Sequence, residues 1–240
     1  MSILGGLKNA LAFLTTIPVG MDENGIIQAA NYMPSFPIIG ALIGLATGVL
    51  LWGLQAILPP PIAGMLGLGF ILLLTGVHHA DGLLDFGDAM MILGSPEEKI
   101  RIMRDHQTGA GGLCLGLVVL SATAFSMAAL DPSMVIQSLV VSETSSKFAM
   151  VLQAWAGNSA HEGLNTPFLQ AMHGKWRTMR LSIASFLALA ISMMALQITG
   201  IVVMLAGLLV ATAMLVISKK KFGGMTGDAM GATNELKQLT

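Results

Sequence analysis

Six apolar runs, each near the length needed to cross a lipid bilayer, leave this chain few folds to adopt. They lie at roughly 36–58, 62–78, 111–130, 134–156, 181–197 and 199–217, against a requirement of about 20 residues for a helical span. Only 10% of the 240 residues are charged, 54% are hydrophobic, and the mean hydropathy is +0.77. Soluble domains carry about 25% charged residues, so the polar surface here is too small to cover a water-facing globule. Lipid offers the backbone no hydrogen-bond partners, and helices satisfy their own. The expected fold is therefore one all-α polytopic membrane domain over 1–240, with about six transmembrane helices. The second and fifth runs are short and suit tilted or partly interfacial helices. Breaks are tight at Pro59-Pro60-Pro61 and Asp131-Pro132-Ser133.

Ahead of the first run, Leu4, Leu7, Leu11 and Leu14 share a stripe with Lys8 and Asn9 off it, as in an interfacial helix. A signal peptide is the competing reading. It lacks an A-x-A-like site, and Thr15-Thr16-Ile17-Pro18 interrupts the apolar stretch.

With six spans, the segments 1–35, 79–110, 157–180 and 218–240 fall on one side. They hold Lys8, Lys99, Arg101, Arg104, Lys175, Arg177, Arg180, Lys219, Lys220, Lys221 and Lys237, which is eleven of the twelve basic residues. The twelfth, Lys147, lies inside a run. The positive-inside rule makes the charged side cytoplasmic, in a multi-pass protein of the cell membrane with short loop helices on that face. A net charge of −1 gives no reason to expect nucleic acid. The single cysteine, Cys114, excludes an intramolecular disulfide and reads as a packing residue.

Gly40, Gly44 and Gly48 repeat every four residues and should let another helix approach closely. Glu143 and Lys147 are ionisable groups inside a run, which are costly in lipid and face a partner or a cavity. Their spacing allows an ion pair; a substrate contact is the equal alternative.

The chemistry concentrates in three polar clusters, all on the predicted cytoplasmic side. The first, His78 to Asp88, ends the second run. On a helix, Asp81, Asp85 and Asp88 form one stripe. Like charges so close repel, and become favourable around a hard dication such as Mg²⁺ or Mn²⁺. A solvated acidic face is the bland alternative, and fits poorly where charge is scarce. His79 lies two residues before Asp81; His78, His106, His161 and His173 read as interfacial. In the second cluster, Arg101 and Arg104 suit phosphate oxygens, Asp105 adds a carboxylate, and Gly109 to Gly112 offer N–H groups to an anion. The third contains Lys221, Gly223, Gly224, Thr226 and Asp228, a glycine loop opening a helix, which accepts phosphate. A lysine run alone is more often a membrane anchor. Together these groups describe a site for a pyrophosphate with a divalent ion.

The chain resembles the cobalamin 5′-phosphate synthase family along nearly its whole length. The resemblance rests on Phe13-Leu-Thr-Thr-Ile-Pro18, Phe36-Pro-Ile-Ile-Gly40, His79-Ala-Asp81-Gly82-Leu83-Leu-Asp85-Phe-Gly-Asp88 and Ile102-Met103-Arg104-Asp105. It continues through Glu162-Gly163-Leu164 and Gly223-Gly224-Met-Thr226-Gly227-Asp228. Thr16 stands where the family usually has Arg, and Lys147 near where it more often has Arg. The resemblance implies Mg²⁺-dependent transfer of a cobinamide phosphate from adenosylcobinamide-GDP to α-ribazole or α-ribazole 5′-phosphate, with release of GMP. It implies Mg²⁺ held by Asp81, Asp85 and Asp88, and a general base for which the spacing leaves Asp88 and Asp105 open. His79 and Arg104 join the catalytic set. Substrate contacts fall to Arg101, Arg104, Lys221, Gly223, Gly224, Thr226, Asp228, Glu143 and Lys147; a homo-oligomer is compatible with all of this. The rival readings are another Mg²⁺-dependent membrane transferase, of CDP-alcohol or polyprenyl type, and an ion-coupled transporter. The transporter lacks paired interrupted helices and leaves the Arg104-Asp105 and Thr226-Gly227-Asp228 blocks without employment.

Overall fold

A computed structural model describes residues 3–105 and 107–239, leaving His106 outside. Among the described residues the chain is helical throughout: α1 (Ile3–Leu14), α2 (Gly25–Asn31), α3 (Phe36–Gln55), α4 (Pro60–Leu74), α5 (His78–Met91), α6 (Pro96–Met103), α7 (Ala110–Ala129), α8 (Val135–Ala156), α9 (Thr166–His173), α10 (Arg177–Phe222) and α11 (Gly227–Lys237). The one extended element among them is an isolated parallel bridge between Ser159 and Met225.

By length and composition, three helices among the described residues can cross a membrane: Met33–Gln55, Ala110–Ala129 and Arg177–Phe222. The bent pair α4 and α5 makes a fourth if it counts as one span. Two details bear on that number. A straight 46-residue helix would be about 69 Å long, more than twice a bilayer's hydrocarbon core. It breaks at Gln197 (φ 52°, ψ −134°), and a Cβ on Gly200 would lie 2.2 Å from the Ser192 carbonyl oxygen. Eight residues along a straight helix span about 12 Å, so the two arms double back as a hairpin. The second detail is α8, whose Glu143, Lys147 and Ser/Thr run depress its hydropathy. It lies inside the bundle between α3 and α10 and is buried along most of its length.

The glycine stripe of α3 packs on that central helix. Cβ atoms on Gly40 and Gly44 would fall 2.4 Å from the Glu143 carbonyl oxygen and 2.3 Å from that of Leu139. One on Gly48 would meet the Ile136 Cα at 2.8 Å. At the same end, Phe13, Phe36 and Phe168 form an aromatic cluster that seats α1 and α9 against α3, with Phe13 and Phe168 centroids 4.6 Å apart. Arg180 donates to Asn31 Oδ1 at 3.1 Å and to the Ala171 carbonyl, binding α10 to α2 and α9.

The second run differs from its expected course. The spacing predicts a helix over 62–78 that carries straight into the aspartate motif, but α4 stops at Leu74 and α5 departs at 97°. Gly76 (φ 68°) and Val77 (φ 63°) make the corner in left-handed conformation, which is rare for a β-branched residue. Thr16 braces it, its N–H donating to the Leu74 carbonyl at 2.8 Å and its hydroxyl to that of Leu73 at 3.0 Å. Only α4 therefore runs with the spans, and α5 lies across its end.

Replacing Gly44 with Val should lower stability in detergent by about 2–3 kcal/mol, the cost of overpacking against fixed backbone. Gly53, where an added Cβ would have nothing within 4 Å, takes Ala without loss. Thermal unfolding of the two variants checks this; equal midpoints would remove the α3–α8 contact from the account.

Candidate active site

The bend at Val77 sends α5 between the start of α7 and α11, and glycines set both distances. A Cβ on Gly82 would meet the Asp228 Cα at 2.9 Å, and one on Gly87 the Gly112 Cα at 2.9 Å. The aspartate stripe thus runs along a helix flanked by the other two clusters. Asp81 is exposed, Asp85 half-buried and Asp88 buried.

Asp88 is engaged by protein. Its Oδ2 accepts from the Gly109 N–H at 2.6 Å and its Oδ1 from the Gly112 N–H at 2.8 Å. These N–H groups, which the sequence offers to an anion, hold a carboxylate of the chain itself at the positive end of α7. A side chain at either glycine would strike it, since Cβ atoms there would lie 2.6 and 2.7 Å from the Asp88 oxygens.

Asp81 and Asp85 make no ion pair among the described residues. Burial first, and then the charges of Asp81, Asp228 and Asp88, push the Asp85 carboxyl up to about 7. The Asp228 carboxyl is also raised, by burial first and by Asp81, against the opposing effects of its own backbone N–H and His161. Asp81, Asp85 and Asp228 therefore share one field of uncompensated negative charge. Among the described residues no group of three or more His, Cys, Asp or Glu is placed so that it could hold a metal ion.

Asp228 opens α11 in a rigid frame. Gly223 (φ 78°) closes α10 in left-handed conformation, and Gly224 lies against residues 158–160. Met225 donates to the Asn158 carbonyl at 2.7 Å and accepts from the Ala160 N–H at 2.9 Å and the Asn165 amide at 3.0 Å. Thr226 caps α11 by accepting from the Ala229 N–H at 3.0 Å, and its hydroxyl points to Met103 Sδ at 3.2 Å. That last contact brings α6 beside the glycine loop. Arg101, Arg104, Asp105 and Lys221 are all exposed around this region, with Asp105 accepting from the Gln107 N–H at 3.3 Å. His79 is buried, its Nδ1 has no partner among the described residues, and burial pushes its imidazole well below the usual value.

Glu143 and Lys147 sit in the bundle's interior. Lys147 Nζ donates to Glu143 Oε2 at 3.1 Å and to Asn234 Oδ1 at 2.6 Å, and Asn234 donates to Glu235 Oε1 at 3.1 Å. Gln153 adds a bond to the Thr233 hydroxyl at 2.7 Å. Both members of the pair are 1% exposed or less, and their contacts fasten α11 to α8. Two supporting residues stand outside the three sequence clusters. Lys99 closes the end of α5 by donating to the Ala89 carbonyl at 3.1 Å and to that of Ile92; nothing in its sequence context marks that role. Asn165 ties the 158–166 segment to the glycine loop, and the neighbouring Glu162-Gly163-Leu164 block is the only local signal for it.

A family model for cobalamin-5-phosphate synthase matches residues 6–240. The chain belongs to the cobalamin-5-phosphate synthase family. Among its relatives, a protein of Methanocella arvoryzae is 35% identical over 252 residues, covering 99% of this chain and 94% of its own length. One of Halorubrum lacusprofundi is 35% identical over 252 residues, with 99% and 95% covered. One of Thermococcus kodakarensis is 32% identical over 231 residues, with 96% and 93% covered. Each is named adenosylcobinamide-GDP ribazoletransferase. No solved structure matches. In this cobalamin-5-phosphate synthase family member, the matched region takes in all three polar clusters.

The raised Asp85 has a consequence for stability. Between the ordinary aspartate value of about 3.9 and about 7 the folded protein binds more protons than the unfolded chain, so stability falls as pH rises through that window. In buffer free of divalent ions, the wild-type melting temperature should drop from pH 5 to pH 8, and Asp85→Asn should flatten the drop. Parallel curves for the two proteins would show that Asp85 does not carry it.

Proposed function

We propose that the protein transfers the adenosylcobinamide phosphate group of adenosylcobinamide-GDP to α-ribazole or α-ribazole 5′-phosphate, releasing GMP. The observation that carries the reading is the convergence of Asp81, Asp85 and Asp228, in a chain matched to the family over residues 6–240. Six spans and a cytoplasmic site follow from the same reading. The hairpin in α10 and the burial of α8 support that number, and the basic residues of the loops support the side.

The donor set fits Mg²⁺. Asp81, Asp85 and Asp228 present only carboxylate oxygens, and Mg²⁺ commonly uses one or two carboxylates with waters and substrate phosphates, so no closed cage is required. Asp81 and Asp85 would hold the ion, with Asp228 alongside. Asp88, placed in the same ligand set by the family resemblance, accepts one N–H at each oxygen, which holds the start of α7 against the stripe and leaves a lone pair on each oxygen. When bound, Mg²⁺ supplies neutralising charge to the pyrophosphate and the departing phosphate.

Arg101, Arg104 and Lys221, which make no ion pair among the described residues, would bind phosphate oxygens, and the loop from Gly223 to Thr226 fixes the approach to Asp228. The ribose hydroxyl oxygen of ribazole bonds to the phosphorus attached to cobinamide, and the bond from that phosphorus to the GMP oxygen breaks. The hydroxyl proton passes to a carboxylate. Of the two candidates, Asp105 has the more available oxygens and Asp88 the fewer, which favours Asp105 as base.

The test is incubation of the purified protein with adenosylcobinamide-GDP, α-ribazole and Mg²⁺, with GMP and cobamide as readouts. Both products should form in equal amounts, and Asp81→Asn should lower kcat/KM by about 100-fold or more while the variant still inserts and elutes as a folded protein. Absence of GMP under conditions where a related synthase turns over would sink the reading.

A further inference from the structure

Beside the glycine loop lies a second feature that the transfer reaction leaves without a role. It is a cleft of about 370 Å³ lined by Asn158, Ser159, Thr166, Leu169, Gln170, His173 and Gly174. One wall is the N-terminal half of the 158–166 segment; the other is α9. We propose that this cleft is the subsite for the guanine base and ribose of the donor nucleotide. The inference rests on the transfer reaction proposed above.

Position is the first argument. The cleft wall at Asn158 and Ser159 is paired through backbone hydrogen bonds to Met225, three residues before Asp228. Three residues reach at most about 11 Å, so the cleft opens a nucleotide's length from the carboxylates. A pyrophosphate seated at Asp81, Asp85 and Asp228 would lead its nucleoside along the glycine loop and over this wall. All the lining residues lie in 158–174, on the same predicted side of the membrane as the aspartates.

Size is the second. Pockets for small ligands run from about 300 to 1,000 Å³. A cleft at the low end of that range has room for a nucleoside.

Chemistry chooses between the two bases in the reaction. The side-chain amides of Asn158 and Gln170 and the ring of His173 make no hydrogen bond among the described residues. A carboxamide presents a donor and an acceptor side by side and reads a base edge bidentately. Guanine carries both donors and acceptors along its edge. The dimethylbenzimidazole of ribazole offers methyl groups and a lone acceptor, which would leave both amides unpaired. Leu169 supplies an apolar floor, and the His173 ring a face on which a base can stack. The polar lining therefore suits guanine and disfavours the acceptor's base.

The experiment measures equilibrium binding of GDP, ADP and α-ribazole to the full-length protein in detergent with Mg²⁺. Wild type and the variants Gln170→Ala and Asn158→Ala are compared, with turnover assayed in parallel. Gln170 and Asn158 are exposed, so both variants should fold, as their melting temperatures will report. Wild type should bind GDP, and ADP as well, since both bases present a donor beside an acceptor. Each variant should weaken GDP about tenfold, the worth of a hydrogen bond or two, while leaving α-ribazole unchanged. Unchanged GDP affinity in both variants overturns the subsite, as does a loss confined to α-ribazole. Failure of this inference and failure of the transfer reaction are separable. If wild type turns over and the variants match it in KM for the donor, the subsite falls and the reaction stands. If wild type does not turn over but GDP binding depends on Gln170 and Asn158, the reaction falls and the guanosine subsite stands.

Discussion

The Lys147 ammonium is the interaction on which the arrangement depends. A charge with no exposure to solvent, in the middle of a bundle, survives only with partners. Lys147 has Glu143 one turn before it and Asn234 across the helix interface. The first partner neutralises it; the second makes the pair structural, because Asn234 belongs to α11. Removing any member would strand a buried polar group, so α11 cannot slide or rotate on α8 without large cost. The N-terminal end of α11 carries Asp228, and its place beside α5 is fixed at the far end by this network.

Close backbone approach does the rest. Gly40, Gly44 and Gly48 bring α3 against α8, Gly82 brings α5 against α11, and Gly87 with Gly112 brings α5 against α7. In lipid no hydrophobic drive presses helices together, so contact area between small residues supplies the attraction. The aspartate helix is thereby clamped on two sides, and its acids keep their spacing although they repel.

The large features are legible in the sequence because they need only local rules. Apolar runs and their breaks mark the helices, including the division near Gln197, and the glycine stripe marks a close packing face. Counting alone places most basic residues between the apolar runs, but Lys237, counted with them, is buried on α11 against Gly207. The corner at Gly76 and Val77 is not legible: Thr75-Gly76-Val77 looks like a continuing apolar run, and the left-handed valine is held by Thr16 from a distant segment. The setting of Asp88 is hidden for a similar reason. Its stripe partners are visible in the sequence, but the two N–H groups that occupy it come from a loop some twenty residues on. The pairing of 158–160 with Met225, and hence the place of Asn165 and the cleft, is likewise a tertiary fact with only weak local signal.

Two kinds of charge cluster stand within one helix length of each other along α11, and the contrast explains their roles. Around Asn234 the charges are buried and linked by hydrogen bonds from Lys147 to Glu143 and Asn234 and from Asn234 to Glu235, so the cluster serves first to join α8 to α11. Around Asp228 the acids make no ion pair among the described residues and reach water at Asp81, while Arg101, Arg104 and Lys221 are exposed at the rim rather than among them. A fold seeking stability alone would have paired these groups. Keeping them apart costs repulsion that the clamp on α5 must resist, and it leaves a field that a dication and a polyphosphate together would neutralise. The turn at Val77 makes this separation workable, since it takes the aspartates out of line with α4 and lays them where water and a large polar substrate have access.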